Sequence, residues 1–249
     1  MASRSGARTP QGGDGAIAPA KPPQNEILSR LPADELAAVM QRAITRSFAL
    51  REELFDEGDP LENVCFPSTA MISLVNVLDD GTTIEIMTIG REGFVGVPLL
   101  NDVSTARFRG LCQISGDALQ LSAKDFRRVL KTSPELERRL RRYSQFATEV
   151  AAQSVACNSV HDVEQRCARW LMLTADAVGS TDFELTQEFL SQMLAVRRPG
   201  VTVAMGALAR RGLISHRYGN VTVVDVDGLE KASCECYGRI KEKAGELLA

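Results

Sequence analysis

One short stretch of this chain, residues 185–215 (LTQEFLSQMLAVRRPGVTVAMGALARRGLIS), contains four arginines and a single acidic residue. Between Thr186 and Asn220 there are five arginines and one acid, a local net charge of +4 in a chain whose net charge is −3. Guanidinium groups grouped in this way attract nucleic-acid phosphates, and the planar fork also suits the O6/N7 edge of guanine. The stretch therefore predicts DNA contact. The alternative is a pair of packed helices with solvated arginines.

Three cysteines and a histidine form a second set of residues that could do chemistry. Cys157 and His161 are four residues apart and share a face if both are helical, and Cys234 and Cys236 flank one glutamate near the C-terminus. Thiolates and imidazoles bind zinc and related metals, so the four are candidates for a metal or redox sensor. Scattered cysteines and a lone histidine are more often packing residues. We therefore expect a structural role and no metal.

The arginines lie on two short helical patterns separated by a tight break. Thr186 suits the N-cap of the first helix, and Ala195-Val196 forms the break. The second helix begins near Arg197, has Pro199 in its first turn, where a missing N–H costs nothing, and ends at Gly212. Apolar residues recur at helical spacing in both helices: Leu185, Phe189, Leu190, Met193 and Leu194, then Val201, Met205 and Leu208. The pattern predicts a helix-turn-helix.

Other elements surround this motif. A connecting helix from His161 to about Val178 precedes it, with Trp170 facing inward. The segments 213–215 and 221–226 predict a two-stranded wing that turns at Gly219-Asn220, and residues 229–248 predict a C-terminal helix.

A long helix is predicted over residues 134–159. One apolar seam on it has alternating steps of four and three residues: Leu136, Leu140, Tyr143, Ala147, Val150, Ser154 and Cys157. This seam predicts a dimer interface, which would place two recognition helices in successive major grooves about 34 Å apart. The alternative is a helix packed on its own domain.

Residues 44–121 read as short strands. Met71–Leu78 and Thr82–Ile89 are β-rich, and Asp79-Asp80-Gly81 between them supplies a hairpin turn. Strands at this spacing are typical of a β-sandwich or jelly roll. Residues 1–24 are rich in Gly, Ala, Pro and Ser, and we expect them to be disordered.

Composition excludes several classes of protein. No apolar run reaches the roughly 18 residues of a membrane span, so we expect a cytoplasmic protein without membrane contact. The pI near 5.6 argues against binding nucleic acid over the whole surface. Six irregularly spaced cysteines read as reduced thiols. We expect no enzyme, because no nucleophile–base pair or phosphate loop is present.

From about residue 25 to the end, the chain resembles transcription regulators of the CRP/FNR superfamily. The stretches that carry the resemblance are the helix-turn-helix and residues 55–60 (FDEGDP), 90–96 (GREGFVG), 157–170 (CNSVHDVEQRCARW) and 232–237 (ASCECY). The resemblance implies an α+β fold in four parts: a tail (1–24), a cyclic-nucleotide-binding-like β-roll or jelly roll (25–133), a dimerisation helix (134–159) and a winged helix-turn-helix domain (160–249). It implies a homodimer acting on palindromic promoter sites in double-stranded DNA, with RNA polymerase as a further candidate partner.

The resemblance also bears on ligands. In relatives that bind cyclic nucleotides, a glutamate holds the ribose and an arginine the phosphate, whereas this chain has Val97 and Ala106 at those positions. Arg107 and Arg109 are the candidates to replace the arginine, and we expect no binding of cyclic AMP. No cysteine precedes Cys65, so the N-terminal iron–sulfur cluster of oxygen-sensing relatives is not expected. The alternative function is a metabolite- or cyclic-nucleotide-binding module whose DNA binding is vestigial.

The resemblance gives the arginines roles on DNA. By its position in the motif, Arg198 matches the arginine that reads guanine, and Arg197 lies beside it. Candidates for phosphate contacts are Thr186, Gln187 and Thr202 on the helices and His216 and Arg217 on the wing. The family's further base readers are replaced by Pro199 and Val203, so the target sequence cannot be transferred from relatives.

Overall fold

The computed structural model describes residues 24–248. The predicted disordered tail lies outside the described residues, apart from Gln24. None of the helices within residues 24–248 has the length and apolarity needed to cross a membrane.

A β-roll forms the first half of the described chain, as predicted. Its strands are β1 (Ile44–Phe48), β2 (Glu53–Phe55), β3 (Asn63–Pro67), β4 (Met71–Val77), β5 (Thr83–Ile89), β6 (Arg109–Ile114) and β7 (Gly116–Ser122). They pair antiparallel in two sheets, ordered β1-β7-β3 and β2-β6-β4-β5. Three helices flank the sheets: α1 (Ala33–Met40), α2 (Val97–Leu100) and α3 (Ala123–Leu130). The rings of Phe66 and Phe94 stack 5.7 Å apart in the core.

The hairpin of β4 and β5 contains a shift in strand register. Leu74 pairs with Met87, and the next residue, Val75, pairs with Glu85, so Ile86 is the extra residue of a β-bulge. A bulge redirects the side chains beside it. Glu85 consequently lies against the second half of the chain, where its carboxylate accepts a hydrogen bond from Trp170.

Helix α4 (Pro134–Val160) matches the predicted long helix, but its apolar seam does not face outward. All seven seam residues face the chain itself: Leu136, Leu140, Tyr143, Val150 and Cys157 are buried, Ala147 lines a β-roll cavity and Ser154 borders the cleft beside Trp170. Heptad spacing identifies an apolar face but not what covers it. The assignment of these residues to a dimer interface is therefore corrected, since the β-roll and the C-terminal helix already cover them.

The C-terminal half is the predicted winged helix-turn-helix. Its elements are α5 (Val163–Val178), β8 (Asp182–Glu184), α6 (Gln187–Met193), α7 (Arg198–Arg210), β9 (Ile214–Arg217), β10 (Asn220–Val223), α8 (Val226–Ala232) and α9 (Cys236–Leu248). The wing differs in two respects from the prediction. It has three strands, ordered β8-β10-β9, and it turns at Tyr218-Gly219 rather than Gly219-Asn220, because Arg217 pairs with Asn220.

The two halves contact each other directly. Met71 and Val75 of β4 belong to the same apolar cluster as Trp170 and the helix-turn-helix core. Trp170 Nε1 donates to Glu85 Oε1 at 3.0 Å, and Arg51 Nη2 donates to Thr186 Oγ1 at 3.2 Å. The winged helix-turn-helix half is thus docked on the β-roll through apolar and polar contacts.

Candidate DNA-binding surface, cavity and thiol cluster

The turn between α6 and α7 is held by local and tertiary contacts. Thr186 caps α6 by accepting from the backbone N–H of Phe189. Ala195 takes a left-handed φ of 51°, which reverses the chain within two residues. The guanidinium of Arg166, buried on α5, donates to the carbonyl of Leu194. These contacts fix the direction in which α7 leaves the turn.

Helix α7 divides into a buried and an exposed face. Val201, Ala204, Met205 and Leu208 are buried in the domain core. The side chain of Arg198, in the first turn, is 65% exposed, and its nearest acidic partner, Glu188, is 3.9 Å away, a weak surface pair. Arg197, Thr202 and Val203 are also exposed. The N-terminal end of α7 therefore presents two arginines to solvent.

The other predicted helix contacts cluster beside this end. Thr202 Oγ1 donates to Gln187 Oε1 at 2.7 Å, which joins the first residue of α6 to α7. Thr186 is next to Gln187 and also accepts from Arg51 of the β-roll. No sequence pattern predicted the contact between Arg51 and the helix-turn-helix, because docking of the two halves brings them together.

The wing brings two predicted residues and one unpredicted residue to the surface. Arg217 is exposed and His216 is half-buried on β9. Tyr218 is fully exposed at the wing tip with φ 49°, and Gly219 follows with φ 81°. Two successive positive φ values form the tight turn that suits a hairpin, although tyrosine rarely adopts this conformation. Tyr218 adds an aromatic ring to the surface, and the Tyr-Gly dipeptide was its only sequence signal.

The β-roll encloses a cavity of about 330 Å³ between its strands and α4. The lining is almost entirely apolar and includes Val97, Pro98 and Ala106, where the ribose and phosphate partners were expected. Arg107 is among the lining residues and is exposed to solvent. Arg109 is corrected as a ligand candidate, because it does not line the cavity and both arms of its guanidinium bind Asp56 at 2.9 and 2.7 Å. The hydrogen bond from Arg109 in turn lowers the pKa of Asp56.

Comparisons with known proteins agree with this architecture. Residues 165–232 match the family model of the Crp-like helix-turn-helix domain. The chain also superposes on a CRP-family transcriptional regulator from Thermus thermophilus, with a TM-score of 0.64 and 20% identity over 76% of this chain and 96% of that one. This chain has the CRP/FNR fold. No curated protein matches it in sequence.

Two further CRP/FNR-type structures are similar at comparable levels. The c-di-GMP responsive global regulator CLP of Xanthomonas campestris gives a TM-score of 0.63 at 16% identity, covering 77% of this chain and 99% of that one. FixK2 of Bradyrhizobium japonicum gives 0.62 at 15% identity, covering 77% and 98%. The predicted resemblance to the CRP/FNR superfamily is confirmed in the fold and in the helix-turn-helix domain.

In this CRP/FNR fold, the four scattered metal candidates form one cluster. The ligand atoms of Cys157, His161, Cys234 and Cys236 all lie within 4.8 Å of one another. The sequence showed the spacing within each pair, Cys157 with His161 and Cys234 with Cys236, but not that the two pairs meet, since Cys234 lies in the connection between α8 and α9. A hydrogen bond from the Cys157 thiol lowers the pKa of Cys234, because it stabilises the thiolate. We expected these residues to have a structural role, and their proximity is compatible with that role as well as with a metal site.

Proposed function

We propose that the chain is a sequence-specific DNA-binding transcription regulator that acts as a homodimer on palindromic sites. The observation that carries the proposal is the exposed first turn of α7, where Arg197 and Arg198 stand beside Thr202 and Val203. Arg198 suits a guanine, and the exposed Val203 suits a thymine methyl group. Thr186, Gln187, His216 and Arg217 surround this turn and suit phosphate oxygens.

Selection of bound duplexes from a random pool tests this proposal. We expect a palindromic consensus whose half-sites are one helical turn apart, with affinity that falls steeply as salt rises. If the recovered duplexes share no consensus sequence, the alternative function stands, which is a metabolite-binding module with vestigial DNA binding. The apolar cavity is the observation that favours this alternative. A DNA-binding regulator acts in the cytoplasm, with RNA polymerase as a candidate partner and without catalysis.

We place the dimer contact on the outer face of α4, opposite the covered seam. Ala152, Val155 and Ser159 are exposed and recur at steps of three and four. The side chain of Val155 is 70% exposed, which is unusual for a valine on a long helix. A second α4 helix packed on this face would bury it.

Changing Val155 to Glu together with Ala152 to Glu is expected to give folded monomers, because pairing would bury unpaired charges. Leu140→Glu is the matched variant on the covered face, and we expect it to unfold the chain, since Leu140 is fully buried. Sedimentation and circular dichroism distinguish these results. A dimer that persists in the double variant would exclude the outer face.

Cyclic AMP is expected not to bind the β-roll cavity, because its lining offers no buried cation to a phosphate. The cavity instead suits an uncharged apolar molecule. Calorimetry with cyclic AMP should therefore give no binding heat, whereas an uncharged apolar fluorophore should bind to the wild-type chain. The same fluorophore should not bind to Ala147→Phe, because the larger side chain fills the cavity. Micromolar binding of cyclic AMP would contradict this proposal.

A further inference from the structure

Three separate parts of the chain contribute to the thiol–imidazole cluster. Cys157 lies in the last turns of α4, and His161 is the residue that ends this helix. Cys234 lies in the connection after α8, and Cys236 begins α9. The three cysteines are buried and form a cluster apart from both apolar cores, and the His161 side chain is 13% exposed.

The distances between these side chains fit a single tetrahedral metal ion. Cys157 Sγ and Cys234 Sγ are 3.5 Å apart, and Cys236 Sγ and His161 Nδ1 are 3.7 Å apart. Zinc bonds of about 2.3 Å to sulfur and about 2.1 Å to nitrogen place tetrahedral ligand atoms about 3.6–3.8 Å apart. A disulfide instead requires sulfurs about 2 Å apart. Two of the six ligand–ligand distances therefore match the edges of a metal tetrahedron, and all six are within 4.8 Å.

The groups around the cluster orient its ligands. His161 Nε2 is 3.0 Å from Glu235 Oε2, so the carboxylate holds the outer nitrogen and leaves Nδ1 directed at the sulfurs. Carboxylates or carbonyls take this position behind most metal-binding histidines. Gln153 Nε2 donates to Cys236 Sγ at 3.1 Å, as amides do to metal-bound thiolates.

The balance of charge around the cluster is also compatible with a bound metal ion. Three thiolates and one dication sum to a single negative charge, and two buried arginines of α5 are available to balance it. Arg166 and Arg169 are each 7% exposed and both interact electrostatically with Cys157. Within residues 24–248 their Nε atoms have no hydrogen-bond partner. Buried guanidinium groups require nearby negative charge, which a metal–thiolate centre supplies.

We propose that Cys157, His161, Cys234 and Cys236 bind one Zn²⁺ ion in a closed tetrahedral site. Four protein ligands leave no open position, which is the arrangement of structural rather than catalytic zinc. The ion would join the end of α4 to the start of α9 at the joint where α5 begins. It would therefore fix the orientation of the helix-turn-helix relative to the long helix.

Metal analysis of the purified, tag-free full chain under reducing conditions tests the site. We expect one zinc per chain, and we expect Co²⁺ to replace it with the visible absorption of four-coordinate cobalt and a thiolate charge-transfer band. Cys234→Ser and Cys236→Ser should lose both signals. Cys167→Ala is the matched control, because Cys167 is equally buried on α5 but lies outside the cluster, and it should keep both.

Two further variants separate ligation from folding. His161→Cys keeps a donor atom, so it should retain zinc, and its Co²⁺ form should show a stronger thiolate charge-transfer band. Glu235→Gln should weaken zinc binding about 10- to 100-fold without unfolding the chain. If the serine variants fail to fold, cobalt titration of the wild-type chain still decides the matter. The proposal is overturned if the wild-type chain neither contains zinc nor changes the cobalt spectrum, or if Cys157 and Cys234 are isolated as a disulfide.

Discussion

Replacing Arg198 with alanine is expected to weaken binding to the selected DNA site by about 1–3 kcal/mol, roughly 5- to 150-fold. The guanidinium is exposed in the first turn of α7, where its one ion pair within residues 24–248 is the weak pair with Glu188, and it is free to make two hydrogen bonds to one guanine. Random duplex offers no fixed guanine there, so the variant should lose much less affinity for it. Titration of both duplexes at several salt concentrations measures the difference.

Two other arginines serve as controls in the same titrations. Arg217→Ala should weaken specific and random binding alike and lower the salt slope by about one, because a wing residue contacts phosphate. Arg211→Ala should change neither, since Arg211 is paired with Glu164 at 2.9 Å at the far end of α7. If Arg198→Ala loses equal affinity for both duplexes, Arg198 does not determine sequence specificity, which then depends on Thr202 or on DNA shape.

The helix-turn-helix was predictable to within one or two residues because its signals are local. A capping hydroxyl at Thr186, a proline in the first turn of α7 and the left-handed Gly212 each act within one turn of helix. The β4–β5 hairpin was predictable for the same reason. These local signals specify where each element begins and ends, although packing against the rest of the fold stabilises it.

Several inferences failed because they depended on a partner far away in the sequence. The seam on α4 was a correct apolar face, but the β-roll and α9 cover it, and no periodicity within α4 encodes that. Arg109 was a plausible phosphate partner until Asp56, 53 positions earlier, was found to bind it. The Cys157–Cys234 contact spans 77 positions. Spacing in sequence predicts which residues share a face and leaves open what that face meets.

Glu85 is a further example of a residue defined by docking, and it makes the fold sensitive to pH. Its carboxylate accepts hydrogen bonds from Trp170 Nε1 and Ser73 Oγ, both at 3.0 Å, at the contact between β-roll and DNA-binding half. Burial raises the pKa of Glu85 to about 7, outweighing these hydrogen bonds and the nearby charge of Arg169, which lower it. The folded chain therefore holds this proton more tightly than the unfolded chain does.

The sign of the pH effect follows from that difference. Between the unfolded pKa of 4.5 and the folded pKa of about 7, the folded state binds more protons, so the free energy of unfolding falls as pH rises. The loss from this one group is at most about 3 kcal/mol and is complete above about pH 7. Urea unfolding from about pH 5 to about pH 8 measures it.

Glu85→Gln should remove this pH dependence and leave the chain more stable than wild type at about pH 8, because the amide resembles the protonated acid and still accepts from Trp170. Glu57→Gln is the matched control: it removes an exposed acid of the same β-roll and should keep the wild-type slope. Equal slopes in wild type and Glu85→Gln would show that Glu85 is already ionised at the domain contact. Protonation of Glu85 would then contribute no stability to the contact between the two halves.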